Sequence, residues 1–444
     1  MRRILVLVVV LALVAVAWPV YVGIQVERAL FEARTGHLGD LRFTHRVLDY
    51  RRDNFRARAT SEMHVVGEDA DFRVNLEHRI RHRLLGASID TRISSDQPSG
   101  DLPAHWHALL VQAQPRADSW LGLGGGVSSR ISSRPVRTSW TDAQLGNGAP
   151  VYLEVAEGKG GLAYSAERLV LSFDTESLHL SVGDLRAEIG DLHYGLLVHP
   201  GPDGRYGALP DFDLGLGADR MRLALGGHER LSAQSLQMSS WQNSSDRHLD
   251  TLVRLRAKAV EAGGIELEQG LDLHLNALRW HRPTVLRFLA IEEELRGMEL
   301  AAEARASLVL GTVLEGLQQM IVLDPRFLGG LTLYGDPATK LRLQFDVGLR
   351  GDAQRVATRP LEALDLHLDL EAGLDLLADL ADSAGESEAL RAWLERGIQE
   401  EWIEIRDGQV STRLRMDEGR LMINDRDRTV LLLALVFALG QGMF

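Results

Sequence analysis

Apolar and polar residues alternate with a period of two along most of this chain. Phe43, His45, Val47 and Asp49 oppose Thr44, Arg46, Leu48 and Tyr50. Phe55, Ala57, Ala59, Ser61, Met63 and Val65 oppose Arg56, Arg58, Thr60, Glu62 and His64, and Phe72, Val74 and Leu76 oppose Arg73, Asn75 and Glu77. Successive side chains of a strand point to opposite faces, so this rhythm predicts antiparallel strands with one face in a core and one in water. Similar strands are predicted at 130–140, 151–153, 162–173, 177–182, 185–198, 212–225, 231–241, 249–259, 331–334, 341–349, 361–370, 410–416 and 420–424. Gly and Asp-Gly turns such as Pro202-Asp203-Gly204 separate many of them, which describes an extended antiparallel meander.

Helical spacing interrupts the rhythm at 103–114, through Trp106, Leu109, Leu110 and Ala113, at about 282–320, and at 387–400. The uncharged 430–439 stretch is short for a membrane span. It reads as a buried helix, with a membrane-associated tail or a homo-oligomer contact as alternatives.

The N-terminus is different again. Arg2 and Arg3 precede an uncharged, mostly aliphatic stretch from Ile4 to Val26, with Trp18 and Tyr21 where interfacial aromatics belong. A helix of ~20 such residues crosses a ~30 Å hydrocarbon core, and the two arginines favour a cytoplasmic N-terminus. The alternative is a signal peptide cleaved after Ala15-Val16-Ala17. Both export the rest of the chain. The expected fold class is α+β and β-rich: an N-terminal transmembrane helix, then an extended antiparallel β meander with covering helices. The expected organisation is an anchor over 1–26, a β-rich periplasmic region over 27–280 and an α+β periplasmic region over 281–444, in a single-pass protein of a bacterial inner membrane.

Charge and composition narrow the chemistry. The net charge is −13, and the chain lacks a basic run, which argues against nucleic acid and against wide adhesion to anionic lipid. Absence of cysteine excludes disulfides and thiolate metal sites. His105 and His107 are two apart on a predicted helix and face different directions, so surface histidines are favoured over a metal pair. Gly122 to Gly126 has no following Lys-Ser/Thr and reads as a loop, not a phosphate cradle. Asp365, His367, Asp369 and Glu371 share one strand face and are the best metal candidates. Same-face neighbours stand ~7 Å apart, too far for one hard cation, so a solvated face is expected there and for Asp211 and Asp213. Neither a Gly-x-Ser-x-Gly elbow nor Ser-x-x-Lys occurs. No catalytic, cofactor-binding or metal residue is therefore assigned.

Several segments together carry a likeness. They are Tyr50-Arg51-Arg52-Asp53-Asn54-Phe55-Arg56-Ala57-Arg58-Ala59, then Leu323-Asp324-Pro325 with Leu331-Thr332-Leu333, and finally Asp407-Gly408-Gln409-Val410 with Gly419-Arg420-Leu421-Met422-Ile423-Asn424. The chain resembles the YdgA-like family of bacterial envelope proteins, a domain of unknown function. Asp53-Asn54 stands where that family has a glycine turn, and Asn424 is followed by Asp425 instead of Gly. Asn and Asp tolerate the same left-handed backbone. The resemblance implies an exported, membrane-anchored, β-rich protein and transfers no catalytic residue.

The function expected is a non-catalytic envelope module that binds a lipid or protein partner or supports envelope maintenance, not an enzyme. An alternative is lipid binding or transfer along an apolar β trough, should the meander's apolar face be left partly uncovered. An envelope hydrolase is the second alternative.

Overall fold

A computed structural model describes the chain from Val22 to Val430, apart from 142–148, 201–208, 297–315, 335–339, 355–358 and some shorter turns and isolated positions. It divides into two units, one made of residues 1–197 with 224–227 and one of 198–223 with 228–444.

The first unit is a meander of β1 (Arg34–Leu38), β2 (Leu41–Arg52), β3 (Arg56–Gly67), β4 (Ala70–Arg83) and β5 (Gly86–Ile93), with short β6 (Ser99–Gly100) on β4. Helix α1 (Ala104–Ala113) follows, as predicted, then β7 (Arg116–Gly122) returns beside β5. Next come β8 (Val127–Ser133), β9 (Val136–Thr141), β10 (Pro150–Val155), β11 (Gly158–Tyr164), β12 (Leu169–Val182) and most of β13 (Leu185–His199). β7 pairs with β8, β8 with β11, β9 with β10, and both β10 and β11 with β12, all antiparallel.

That pairing makes β8 and β9 one long strand broken at Arg134-Pro135, and β10 and β11 another broken at Ala156-Glu157. The two breaks lie opposite each other: Ser133 faces Gly158 and Val136 faces Val155. Pro135 has no N–H for the ladder. Two residues lie between the last paired position before each break and the first after it, an offset of three, so inward parity moves from odd to even in β8–β9 and slips equally in β10–β11. β12 makes the same slip between Thr175 and Leu178, where Ala156 N–H donates to Ser177 O at 2.9 Å. The predicted 177–182 strand is therefore the second half of β12. The predicted 162–173 strand is instead cut at Ser165, whose hydroxyl accepts from the Glu167 and Arg168 N–H groups at 3.3 and 3.2 Å and closes a turn.

A β-bulge also corrects the reading of β2. Val47 pairs with Ser61, but Asp49 pairs with Thr60, so Leu48 is the extra residue. Past it the faces exchange. Tyr50, read as outward, packs against the core, and Asp49 turns to solvent.

The second unit holds β14 (Asp211–Leu225), β15 (His228–Ser244), β16 (His248–Ala262), β17 (Ile265–Leu267), β18 (Gly270–His281), α2 (Arg282–Arg296), β19 (Arg326–Tyr334), β20 (Lys340–Leu349), α3 (Pro360–Ala363) and β21 (Leu364–Gly373). Then come α4 (Leu374–Ala384), α5 (Ser387–Gln399), β22 (Glu404–Arg406), β23 (Gln409–Asp417), β24 (Arg420–Ile423) and β25 (Arg426–Asp427). The ladder runs β15-β16-β18-β19-β20-β21-β23-β24-β25. Asn424 and Asp425 have φ of 47° and 61°, so the β24–β25 turn uses the left-handed backbone expected of that pair.

The α+β expectation is corrected. The chain is β-rich with few helices, and no helix among the described residues is long and apolar enough to cross a membrane. Most of the predicted span, 1–21, lies outside the described residues, as do 431–439 of the apolar C-terminal stretch and 297–315 of the predicted helical block. The C-terminal end of the predicted span belongs to the folded body. Val22 and Val26 are helical, one turn apart, and 1% and 2% exposed. They pack on Ala57, Ala59, Ile80, Ala87 and Ile89 of β3, β4 and β5. Alanines on the sheet let the helix approach closely, and valines fill the space between. Along this helix, Phe31 meets the Tyr50 ring edge-on at 5.9 Å between centroids, and Glu27 pairs with Arg52 at 3.1 Å.

Packing outweighs charge at this contact. Val26→Ala is expected to destabilise the protein by about 1–3 kcal/mol, whereas Arg52→Ala, which breaks a solvent-exposed pair, is expected to cost under ~1 kcal/mol. Urea titrations of the two variants check the order; a larger loss in Arg52→Ala would refute it.

Candidate functional site

Register places inward-facing residues of neighbouring strands side by side; in the second unit they make a continuous apolar face, and in the first an apolar face interrupted by the hydrogen-bonded Ser119–Ser129 pair. In the second unit Val253 and Leu255 of β16 stand beside Leu275 and Leu273 of β18. The face continues through Gly329 and Leu331 of β19, Leu343 and Phe345 of β20, Leu368 and Leu370 of β21 and Leu414 of β23. One end is covered: Leu376 and Leu380 of α4 pack with Ala257, Val260, Leu267, Leu271, Leu333 and Leu341. Toward the middle the leucines are only half-buried, and Val253 and Phe327 are 37% and 39% exposed. Gly329 is needed there, because a Cβ would stand 2.3 Å from the Phe345 ring.

The first unit repeats the arrangement. Beyond the part under Val22 and Val26, its inward face continues through Leu121, Ile131, Leu162, Leu171 and Phe173. Ile131 is 40% exposed and Phe173 37%. Contiguous partly exposed apolar surface of this kind marks a binding surface more often than isolated exposed leucines do.

The outward faces are charged, and many of their charges are paired across strands. The predicted metal candidates lie on one of them and are held by arginines from other strands. Arg326 donates to Asp346 at 2.9 Å and Asp365 at 2.6 Å, and Arg350 reaches Asp365 at 2.5 Å. Asp369 receives Arg413 at 3.0 Å and pairs with His367 at 2.9 Å. Glu371 is exposed. Asp211 accepts from the Ser244 N–H and hydroxyl, each at 2.6 Å, and Asp213 is exposed. His107 is half-buried on α1, and the His105 side chain lies outside the described residues. Gly122 and Gly126 close the β7–β8 hairpin, Gly122 N–H donating to Gly126 O at 2.9 Å. Among the described residues no three His, Asp or Glu side chains converge for a metal.

The sequence reading missed a buried polar row on the inward face of β2–β5. The Ser61 hydroxyl lies 2.7 Å from His78 Nε2, His78 Nδ1 lies 2.9 Å from the Thr91 hydroxyl, and the His45 ring stands edge-on to His78 at 6.3 Å. Burial, with a smaller contribution from His45, pushes His78 down to about 4, so its imidazole is neutral at neutral pH. A neutral ring offers one donor and one acceptor, which matches its two hydroxyl partners. Ser61 is fully buried, and a hydroxyl stands where a triad would need a carboxylate, so the pair satisfies a buried histidine without activating a nucleophile. His82 is buried too, and burial followed by the Arg52 charge lowers its pKa. Tyr50 is pushed up to about 12 by burial first and then by Glu27, against the opposing charge of Arg52. Alternating His and Ser among apolar neighbours was the available signal.

Residues 1–430 match the family described as "bacterial protein of unknown function" (DUF945). The chain belongs to this family. No curated protein and no solved structure matches it. Family membership thus confirms the bacterial, unknown-function part of the sequence resemblance and brings no residue roles to the apolar faces or to the His78 row.

Ser61→Ala would leave a buried ring nitrogen of His78 without its partner, an expected loss of about 1–3 kcal/mol. The unfolded chain binds the His78 proton near its ordinary pKa of 6.5 and the folded chain only near 4. Stability is therefore expected to fall as pH drops from about 6.5 to about 4, by up to ~3 kcal/mol, and then to level off for this group. His82 acts in the same direction. Denaturant midpoints across that window check the slope, and His78→Gln is expected to flatten it; an unchanged slope in that variant would be the contrary result.

Proposed function

We propose that this protein is an exported envelope protein of the YdgA-like kind, a non-catalytic binding module that holds lipid acyl chains along the apolar faces of its sheets. The observation that carries the reading is the half-exposed leucine face of the second unit, five strands wide between Leu273 and Leu414, with an outward face of paired arginines and carboxylates behind it. An apolar surface of that width gains roughly 25 cal/mol per Å² when an acyl chain replaces water on it. Backbone hydrogen bonds are already satisfied within the ladder, so the face offers a ligand contact area and no polar demand. That suits alkyl chains, which have no hydrogen bonds to give. The uncharged segment behind Arg2 and Arg3 supports export of the body across the inner membrane.

The reading has a direct test. A photo-crosslinking amino acid is placed at Leu343 or Leu368, which face inward, and at Arg342 or Asp369, which face outward by register. Irradiation in cells, followed by mass spectrometry of the intact protein, is expected to give lipid adducts at the inward pair only. Adducts at neither pair, or equally at both, would overturn the reading.

A further inference from the structure

The chain is acidic and its sequence contains no basic run. Strand register gathers its arginines. On the outward face of β3 and β4, Arg56 stands directly opposite Arg81 and Arg58 directly opposite Arg79, and Arg83 follows on the same face of β4. All five side chains are exposed. The nearby carboxylates are engaged elsewhere. Asp90, next to Arg79 in register, is held by Arg92 at 3.1 Å and Arg116 at 2.7 Å. Asp49 pairs with Arg51 at 3.1 Å, and Glu27 with Arg52 at 3.1 Å. No ion pair joins any of the five arginines to a carboxylate among the described residues; Asp53 at the β2–β3 turn and Glu77, two positions from Arg79 on the same face of β4, lie nearby. Like charges directly opposite across a ladder are destabilising, so this arrangement costs the fold stability.

The same end of the sheet also exposes apolar side chains. Phe55, in the β2–β3 turn, is 54% exposed, and Leu85, in the β4–β5 turn, is 72% exposed. The two turns are neighbours, since His82 N–H donates to Phe55 O at 3.0 Å. The N-terminal helix starts at this end and runs away from it: Glu27 lies against Arg52, beside the turn that Asp53 begins, and Phe31 one turn later lies against Tyr50. The chain therefore enters the folded body at the end that carries Phe55, Leu85 and the arginines. Residues 4–26, which lead into it, contain no charged side chain.

We propose that this end of the first unit rests on an anionic bilayer surface, with Phe55 and Leu85 entering the headgroup layer and Arg56, Arg58, Arg79, Arg81 and Arg83 contacting lipid phosphates. Arginine forks match phosphate oxygens, and basic residues near an anionic leaflet are attracted over about a Debye length. An aromatic and a leucine beside such a cluster are the residue types that seat at an interface. The inference stands apart from acyl-chain binding on the inward faces; either can fail without the other.

Because the chain contains no cysteine, Leu85→Cys carries a spin label at one position only. The full chain is reconstituted in phosphatidylcholine vesicles with or without phosphatidylglycerol, and label depth is read from collisions with oxygen and with a water-soluble nickel complex. A label at Asp71→Cys, at the far end of the β3–β4 hairpin, is the control. The Leu85 label is expected at headgroup depth in the anionic vesicles, and in water in the neutral ones, at high salt, and in Arg56→Gln/Arg81→Gln/Arg83→Gln. The Asp71 label is expected in water throughout. A Leu85 label that stays in water on anionic vesicles, or whose depth ignores phosphatidylglycerol and salt, overturns the proposal. So does protection of that label by a soluble acidic peptide but not by vesicles. The lipid and salt comparisons use unaltered arginines, so they decide the matter even if the triple variant fails to fold.

Discussion

Every feature of this protein depends on one constraint, the pleat of an antiparallel ladder. Side chains alternate between faces, and register fixes which residues of adjacent strands stand together. A one-residue slip in any strand would carry its leucines into water and its arginines into the core. From β8 to β12 the strands slip together. β8–β9, β10–β11 and β12 all change parity at one level, between Ser133 and Val136, Val155 and Gly158, and Thr175 and Leu178. A single defect in one strand would break the apolar face, while a matched defect in three neighbours only bends it. The bulge at Leu48 lies in β2 near the sheet's edge, where it turns the Tyr50 ring onto the helix that carries Val22 and Val26.

This explains which parts of the fold were legible in the sequence. The strands were, because alternation is local: Leu364, Leu366, Leu368 and Leu370 reveal their shared face without any partner. Parity shifts were not. Across the Leu48 bulge the pattern still alternates residue by residue, and only pairing with Ser61 and Thr60 shows that inward has become outward. Val22 and Val26 failed for a related reason. Aliphatic residues at helical spacing suit lipid and a sheet of alanines equally well, and the complementary alanines lie more than thirty residues further on in the chain. The helical reading of 103–114 succeeded because a helix needs no distant strand to define its period.

The candidate sites divide along the same line. A shared face for Asp365, His367 and Asp369 could be read from the chain, but the charges that neutralise them could not. Arg326 comes from β19 and Arg413 from β23, on opposite sides of the acidic strand. The same cross-strand geometry that supplies arginines to these carboxylates sets Arg58 against Arg79 in the first unit, where the neighbouring Asp90 is already held by Arg92 and Arg116. Composition reports the sum, a net charge of −13, and hides both arrangements. Ser61, His78 and Thr91 form a third example. Each is an ordinary polar position in its own strand, and only the ladder joins them into a buried row.

A one-sided sheet of this breadth has to resolve a conflict. Its inward faces must be apolar for the strands to pack, yet the described helices cover only part of them: Val22 and Val26 over β3 to β5, α4 over one end of the second unit. Leucines left half-exposed forgo hydrophobic stabilisation that a sandwich of two sheets would have captured. A ligand made of alkyl chains would supply the missing layer without a second sheet, and its binding would stabilise the folded state. The charged outward faces are consistent with that division of labour. They keep the other side of the ladder in water, so a second copy gains little by stacking there, and the apolar side remains the surface where an added layer would gain most.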